Sequence, residues 1–140
     1  MREEASKELT VMAEAENIDK ITSFVNKQIK RLGGTKRAMV QIEVALDELF
    51  ANICNYAYDD GVGHVTVRVQ DVPEQNSVCI TLEDEGMPFD PLAREDPDVT
   101  LGLHERGVGG LGIYMVKKTM DDVRYEYRDG LNMLTVVKSL

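Results

Sequence analysis

Residues 35–58 read TKRAMVQIEVALDELFANICNYAY, and the spacing of their apolar side chains decides what kind of domain the chain can build. Met39, Ile42, Leu46, Leu49, Ile53 and Tyr56 recur at steps of three and four, the helical period, and Thr35 stands where an N-cap is wanted. The spacing predicts a helix from Thr35 to about Tyr58. Val40, Val44, Ala45, Ala51 and Cys54 spread further apolar or small residues round most of its circumference, a pattern expected of a buried helix. Polar groups on such a helix need a reason. Glu48 and Asn52, about 40° apart at about 100° per residue, share a face roughly 120° from the main stripe. Asn55 continues that face, and Asp47 stands to one side as a peripheral acid. A carboxylate and an amide bordered by Val44, Ala45 and Ala51 point to a ligand or metal pocket, although an ordinary pair of helix polar groups has the same spacing. The amide oxygen suits a hard cation such as Mg²⁺, and the carboxylate can accept a proton.

The flanking segments place this helix in an α+β domain. Upstream, the Leu9, Val11, Ala13 alternation predicts a short edge strand over 7–13. Ile18, Ile21, Val25, Ile29 and Leu32 then predict an amphipathic helix that Gly33-Gly34 ends. Downstream, HVTVRVQ (64–70) and VCITL (78–82) read as an antiparallel hairpin. A helix is expected over about 110–120, and a second hairpin over 123–138 turning at Arg128-Asp129-Gly130. Strands and helices are segregated, so the expected fold is a two-layer α/β sandwich: a mixed, mainly antiparallel sheet with helices on one face.

Two further stretches carry chemistry. Asp84-Glu85-Gly86 follows the second expected strand, where an Asp can accept a hydrogen bond from an exocyclic amine and Gly86 lets backbone approach a flat ring. A plain glycine turn has the same sequence. Gly107-Val108-Gly109-Gly110-Leu111-Gly112 opens the third helix, where free backbone and unpaired N–H groups suit phosphates. No Gly-Lys-Ser/Thr follows, so this is not a Walker loop, and it does not open a βαβ unit. Arg106, just before it, can complement a terminal phosphate or simply lie in solvent.

Composition bounds the rest. The 140 residues, 43% hydrophobic and 29% charged, are read as one domain over 1–140 with no linker or repeat. A formal net charge of −9 disfavours direct nucleic-acid or anionic-membrane binding and favours neutral or basic protein partners. Cys54 and Cys79 sit far apart in apolar runs and are expected as free thiols, not a disulfide or a metal site. With no apolar leader and no membrane-length apolar run, the expected location is the cytoplasm.

Taken together and in this order, the three motifs resemble the ATP-binding domain shared by gyrase, histidine kinases and MutL, the GHKL or Bergerat fold. ALDELFANICNYAY, DEGMPFDP, GVGGLGIYMVKK and DGLNMLTVVK further resemble the bacterial anti-sigma factor serine/threonine kinases. The resemblance implies ATP and Mg²⁺ as cofactors, with Glu48 as catalytic base and Asn52 as Mg²⁺ ligand. It also implies that Asp84 reads the adenine amine, that Gly86 makes room beside the base, and that Gly107, Gly109, Gly110 and Gly112 face the phosphates. Arg106 joins the nucleotide-binding set, residues of about 87–111 form a lid, and Thr135 supports adenine. Pro88 stands where many superfamily members have a second glycine, and is read as a subgroup mark that stiffens the hinge. The implied function is to hold a sigma factor and phosphorylate an anti-anti-sigma protein, with a homodimer possible. The alternative is a nucleotide-binding anti-sigma module without phosphotransfer, against which the carboxylate of Glu48 argues.

Overall fold

Side chains that face inward at every second residue in strands and every three to four in helices are buried together when the helices lie on one face of the sheet. The computed structural model, which describes residues 6–58, 63–93 and 111–140, has that arrangement. β1 (Ser6–Met12) leads to α1 (Ile18–Arg31) and α2 (Lys36–Tyr56), then to the hairpin β2 (His64–Val72) and β3 (Ser77–Asp84). After α3 (Leu111–Thr119) comes the hairpin β4 (Asp122–Arg128) and β5 (Leu131–Ser139). The sheet order is β1-β2-β3-β5-β4, with every neighbouring pair antiparallel. This is the α+β sandwich expected from the sequence.

Local chemistry explains the boundaries. Gly33, at φ +79°, supplies the left-handed residue that lets the chain turn after α1. The Thr35 hydroxyl accepts from the Ala38 N–H at 3.1 Å and so caps α2. Asp129 and Gly130 take φ +56° and +80°, the paired left-handed turn that fits the twist of a tight hairpin. Val65, Val67 and Val69 of β2, Val78, Ile80 and Leu82 of β3, and Leu134 and Val136 of β5 are all buried. They share one core cluster with Ile21, Val25 and Ile29 of α1 and Ile42, Leu46, Leu49, Phe50 and Ile53 of α2.

The outer side of α2 departs from expectation. Val40 is 51% and Val44 48% exposed, and Ala51, Asn55 and Tyr56 also lie open, so the helix is not enclosed all round. Its inner side meets the core while α1 and α3 pack beside it, and an outer face remains. Cys54 and Cys79 are free and half-buried, and burial pushes both thiols up. Among the described residues, no helix is long and apolar enough to cross a membrane.

Candidate nucleotide site

β3 ends on a polar residue that its own alternation drives inward. Val78, Ile80 and Leu82 face the core, so Asp84, two residues on, faces it too and is only 5% exposed. An ionised carboxylate there needs donors. It receives two, from Asn132 Nδ2 and from the Gly86 N–H, each at 2.9 Å and both on Oδ1. Oδ2 takes no donor among the described residues, and Asp84 lines a cavity with Leu49, Asn52, Phe89 and Asn132. Burial pushes the Asp84 carboxyl above the usual carboxylate value, against the pull of the Asn132 and Gly86 donors. Such a group favours a ligand that donates a hydrogen bond to its bare oxygen.

The turn after Asp84 is fastened to the end of α2. Met87 N–H donates to the Ala57 carbonyl at 2.9 Å, and a Cβ at Gly86 would lie 2.2 Å from that same oxygen. Only glycine permits this approach, so the contact that Gly86 makes possible here is with α2 backbone. Tyr58 Oη donates to the His64 carbonyl at 2.7 Å and accepts from the Glu85 N–H at 2.9 Å, tying the same corner together. Phe89 stacks on Tyr56 with ring centroids 5.2 Å apart, at the rim of the cavity.

Further along α2, Asn52 lines the cavity with an amide that no described residue engages. Glu48 lies one turn back, about 6 Å along the helix axis. It reaches the start of α3: a Cβ built on Gly112 would sit 1.9 Å from Glu48 Oε2. The structure thus brings Asp84, Asn52, Glu48 and Gly112 into one line, from the end of β3 along α2 to the start of α3. Among the described residues no group of three or more His, Cys, Asp or Glu side chains could hold a metal. The side-chain oxygen of Asn52 is of the hard type that suits Mg²⁺.

Thr135 does not join this line. It faces the opposite side of the sheet, where its hydroxyl meets that of Thr81 at 3.2 Å and Arg68 bridges Glu8 and Glu83. The reason is parity: Asn132, Leu134 and Val136 point to the core, so an odd number of steps from Asn132 points away. Asp47 and Asn55 are exposed on α2. Arg106, Gly107, Gly109 and Gly110, with most of the expected lid, lie outside the described residues. Asn132 and Tyr125 were not expected at the site, and Phe89 was expected only as part of the lid. The signal for Asn132 was available, since it is the polar member of an inward-facing alternation.

Comparison with known proteins agrees with this fold. A family model described as the histidine kinase-like ATPase domain matches residues 11–138. The serine-protein kinase RsbW of Halalkalibacterium halodurans is 27% identical over 137 residues, covering 95% of this chain and 82% of that protein. RsbW of Bacillus subtilis is 25% identical over 129 residues, covering 90% and 81%. A crystal structure of the RsbU and RsbW domains of a Mycobacterium tuberculosis protein superimposes with a TM-score of 0.69 at 14% identity. It covers 97% of this chain, which spans 32% of that one, and the likeness is one of fold.

Proposed function

The chain belongs to the histidine kinase-like ATPase domain family, and from that premise we propose that it is an ATP-dependent protein serine/threonine kinase acting as an anti-sigma regulator. The observation that carries the proposal is the single line of Asp84, Asn52, Glu48 and Gly112, a buried carboxylate lining a cavity at one end and a second carboxylate against a helix start at the other. Asp84 Oδ2 accepts from the adenine amine. Asn52 would hold Mg²⁺, whose charge would offset that of the phosphates. Glu48 takes the proton of the acceptor serine or threonine as its oxygen bonds to the γ-phosphorus and the bond to the β–γ bridging oxygen breaks, releasing ADP. The relatives named serine-protein kinase support the same chemistry. The proposed partners are a sigma factor and an anti-anti-sigma protein that accepts the phosphate.

Transfer of γ-labelled phosphate from ATP to a serine or threonine of an anti-anti-sigma protein, followed by mapping of the labelled residue, tests this. Label on such a residue is the expected result; nucleotide binding with no transfer to any cognate protein would leave a nucleotide-dependent binding module instead. Gly112→Ala offers a graded readout. Its methyl meets the mobile end of Glu48, not backbone, so the carboxylate is pushed aside while the helix gains a better helix former. Phosphotransfer is expected to fall roughly 10- to 100-fold through misplacement of that group, with a melting temperature at or slightly above the parent's.

A further inference from the structure

Asn132 is the most connected polar side chain at the site, and no reading of the sequence gave it a role. It is 5% exposed and sits opposite Asp84 in the β3–β5 register. Its Nδ2 donates to Asp84 Oδ1 at 2.9 Å, to the Met87 carbonyl at 2.9 Å and, more weakly, to the Gly86 carbonyl at 3.3 Å. Its Oδ1 accepts from the Phe89 N–H at 3.2 Å and from the Tyr125 hydroxyl. Turning the amide over would set a donor against the Phe89 N–H and an oxygen against three acceptors, so only one orientation satisfies the surroundings.

We propose that Asn132, steadied by Tyr125, is a positioning residue for nucleobase recognition: it fixes the Asp84 carboxylate with Oδ2 bare toward the cavity and pins the Met87–Phe89 rim to the same point. This rests on the cavity being a nucleotide-base site. Three features carry it. Both donors that the described residues offer Asp84 converge on one oxygen, and Asn132 supplies the side-chain one. The same amide holds the two segments that border the cavity, β3 and the rim. Its hydrogen bond also favours the ionised carboxylate, the form that accepts from an amine and takes no carbonyl in its place. Neither a larger apolar residue nor a lone acceptor at 132 can do all three. Tyr125 closes the network from β4, so β3, β5 and β4 are joined through a single amide.

The test is a calorimetric titration of the parent, Asn132→Leu and Tyr125→Phe with two probes: ADP, and purine riboside 5′-diphosphate, which lacks only the amine. Amide exchange at Phe89 in the ligand-free proteins is measured alongside. The parent is expected to prefer ADP by roughly 100-fold, because the analogue leaves Asp84 Oδ2 unpaired. In Asn132→Leu the preference is expected to shrink to a few-fold, with analogue affinity little changed and Phe89 exchange at least about 10-fold faster. Tyr125→Phe, which removes one hydroxyl at the rim, is expected to keep the fold and lower the preference by about 3-fold, again with faster Phe89 exchange. Equal loss of both ligands with the preference intact would make Asn132 merely structural and overturn the proposal. So would parental preference and parental exchange in Tyr125→Phe, should the leucine variant fail to fold. A parent that binds neither nucleotide would sink the site reading itself, an outcome distinct from a parent that discriminates and a variant that still does.

Discussion

Asp84→Asn is expected to abolish adenine-nucleotide binding while leaving the free protein at least as stable as the parent. Asparagine can keep both native hydrogen bonds, accepting at Oδ1 from Asn132 Nδ2 and the Gly86 N–H. What changes is the oxygen that takes no described donor: a donor replaces Oδ2 and, in the proposed pose, meets the donor amine of adenine. Loss of the hydrogen bond together with a donor–donor contact weakens ADP by about 10³-fold. Stability moves the other way. The Asp84 carboxyl is raised in the folded protein by burial, so the ionised form is disfavoured there relative to the unfolded chain. Its contribution to stability therefore falls as pH rises from the ordinary carboxylate value through the raised one, and that penalty is present in full above the raised value. Asparagine removes it. Melting curves at pH 7 with and without ADP check both halves: a parental or higher melting temperature, and no shift on adding nucleotide. An Asp84→Asn protein that ADP stabilises like the parent would contradict the assignment of this carboxylate.

Glu48→Gln is expected to bind ATP as the parent does and to lose phosphotransfer by about 10²- to 10⁴-fold, the range for removal of a general base. The amide has the shape of the carboxylate and can stay over Gly112, so a steric explanation does not arise. Glu48 lies a turn of α2 away from Asn52, outside the walls of the base cavity, which is why affinity is spared. Single-turnover transfer to the acceptor protein, paired with an ADP titration, separates the two effects. Equal transfer rates in parent and variant would mean that the carboxylate does not handle the proton.

The sequence was informative wherever one residue's chemistry forced the backbone. Gly33 and Thr35 marked the α1–α2 junction, and Asp129-Gly130 the last hairpin, because left-handed turns and helix caps accept few residue types. The valines at 65, 67 and 69 gave the inward face of β2. Depth was harder. Val40 and Val44 are as apolar as core residues, yet they point outward, since periodicity locates a stripe but does not say how many neighbours surround a helix. Asp84, Asn52, Glu48 and Gly112, which the structure places along one groove, were named from motif and spacing, whereas Asn132 was not and Thr135 was. Strand parity separates those two: Leu134 and Val136 share the inward face with Asn132, and Thr135 lies between them on the other side. Phe89 joins Tyr125 and Asn132 through tertiary hydrogen bonds spanning 36 and 43 residues of chain, and no local pattern announces these.

The most direct measurement of the central claim, that this groove binds ATP with Mg²⁺ on Asn52, is thermal unfolding with ATP in the presence and absence of Mg²⁺, on the parent and on Asn52→Ala. A ligand that binds only the native state at a hundredfold excess over its Kd stabilises it by about 2.7 kcal/mol, several degrees for a chain of this size. The expected result is a shift in the parent that is larger with Mg²⁺ than without, and an Asn52→Ala protein that melts normally alone but has lost the Mg²⁺-dependent part. A parent that ATP does not shift with or without Mg²⁺, or an alanine variant that keeps the full Mg²⁺-dependent shift, would contradict it.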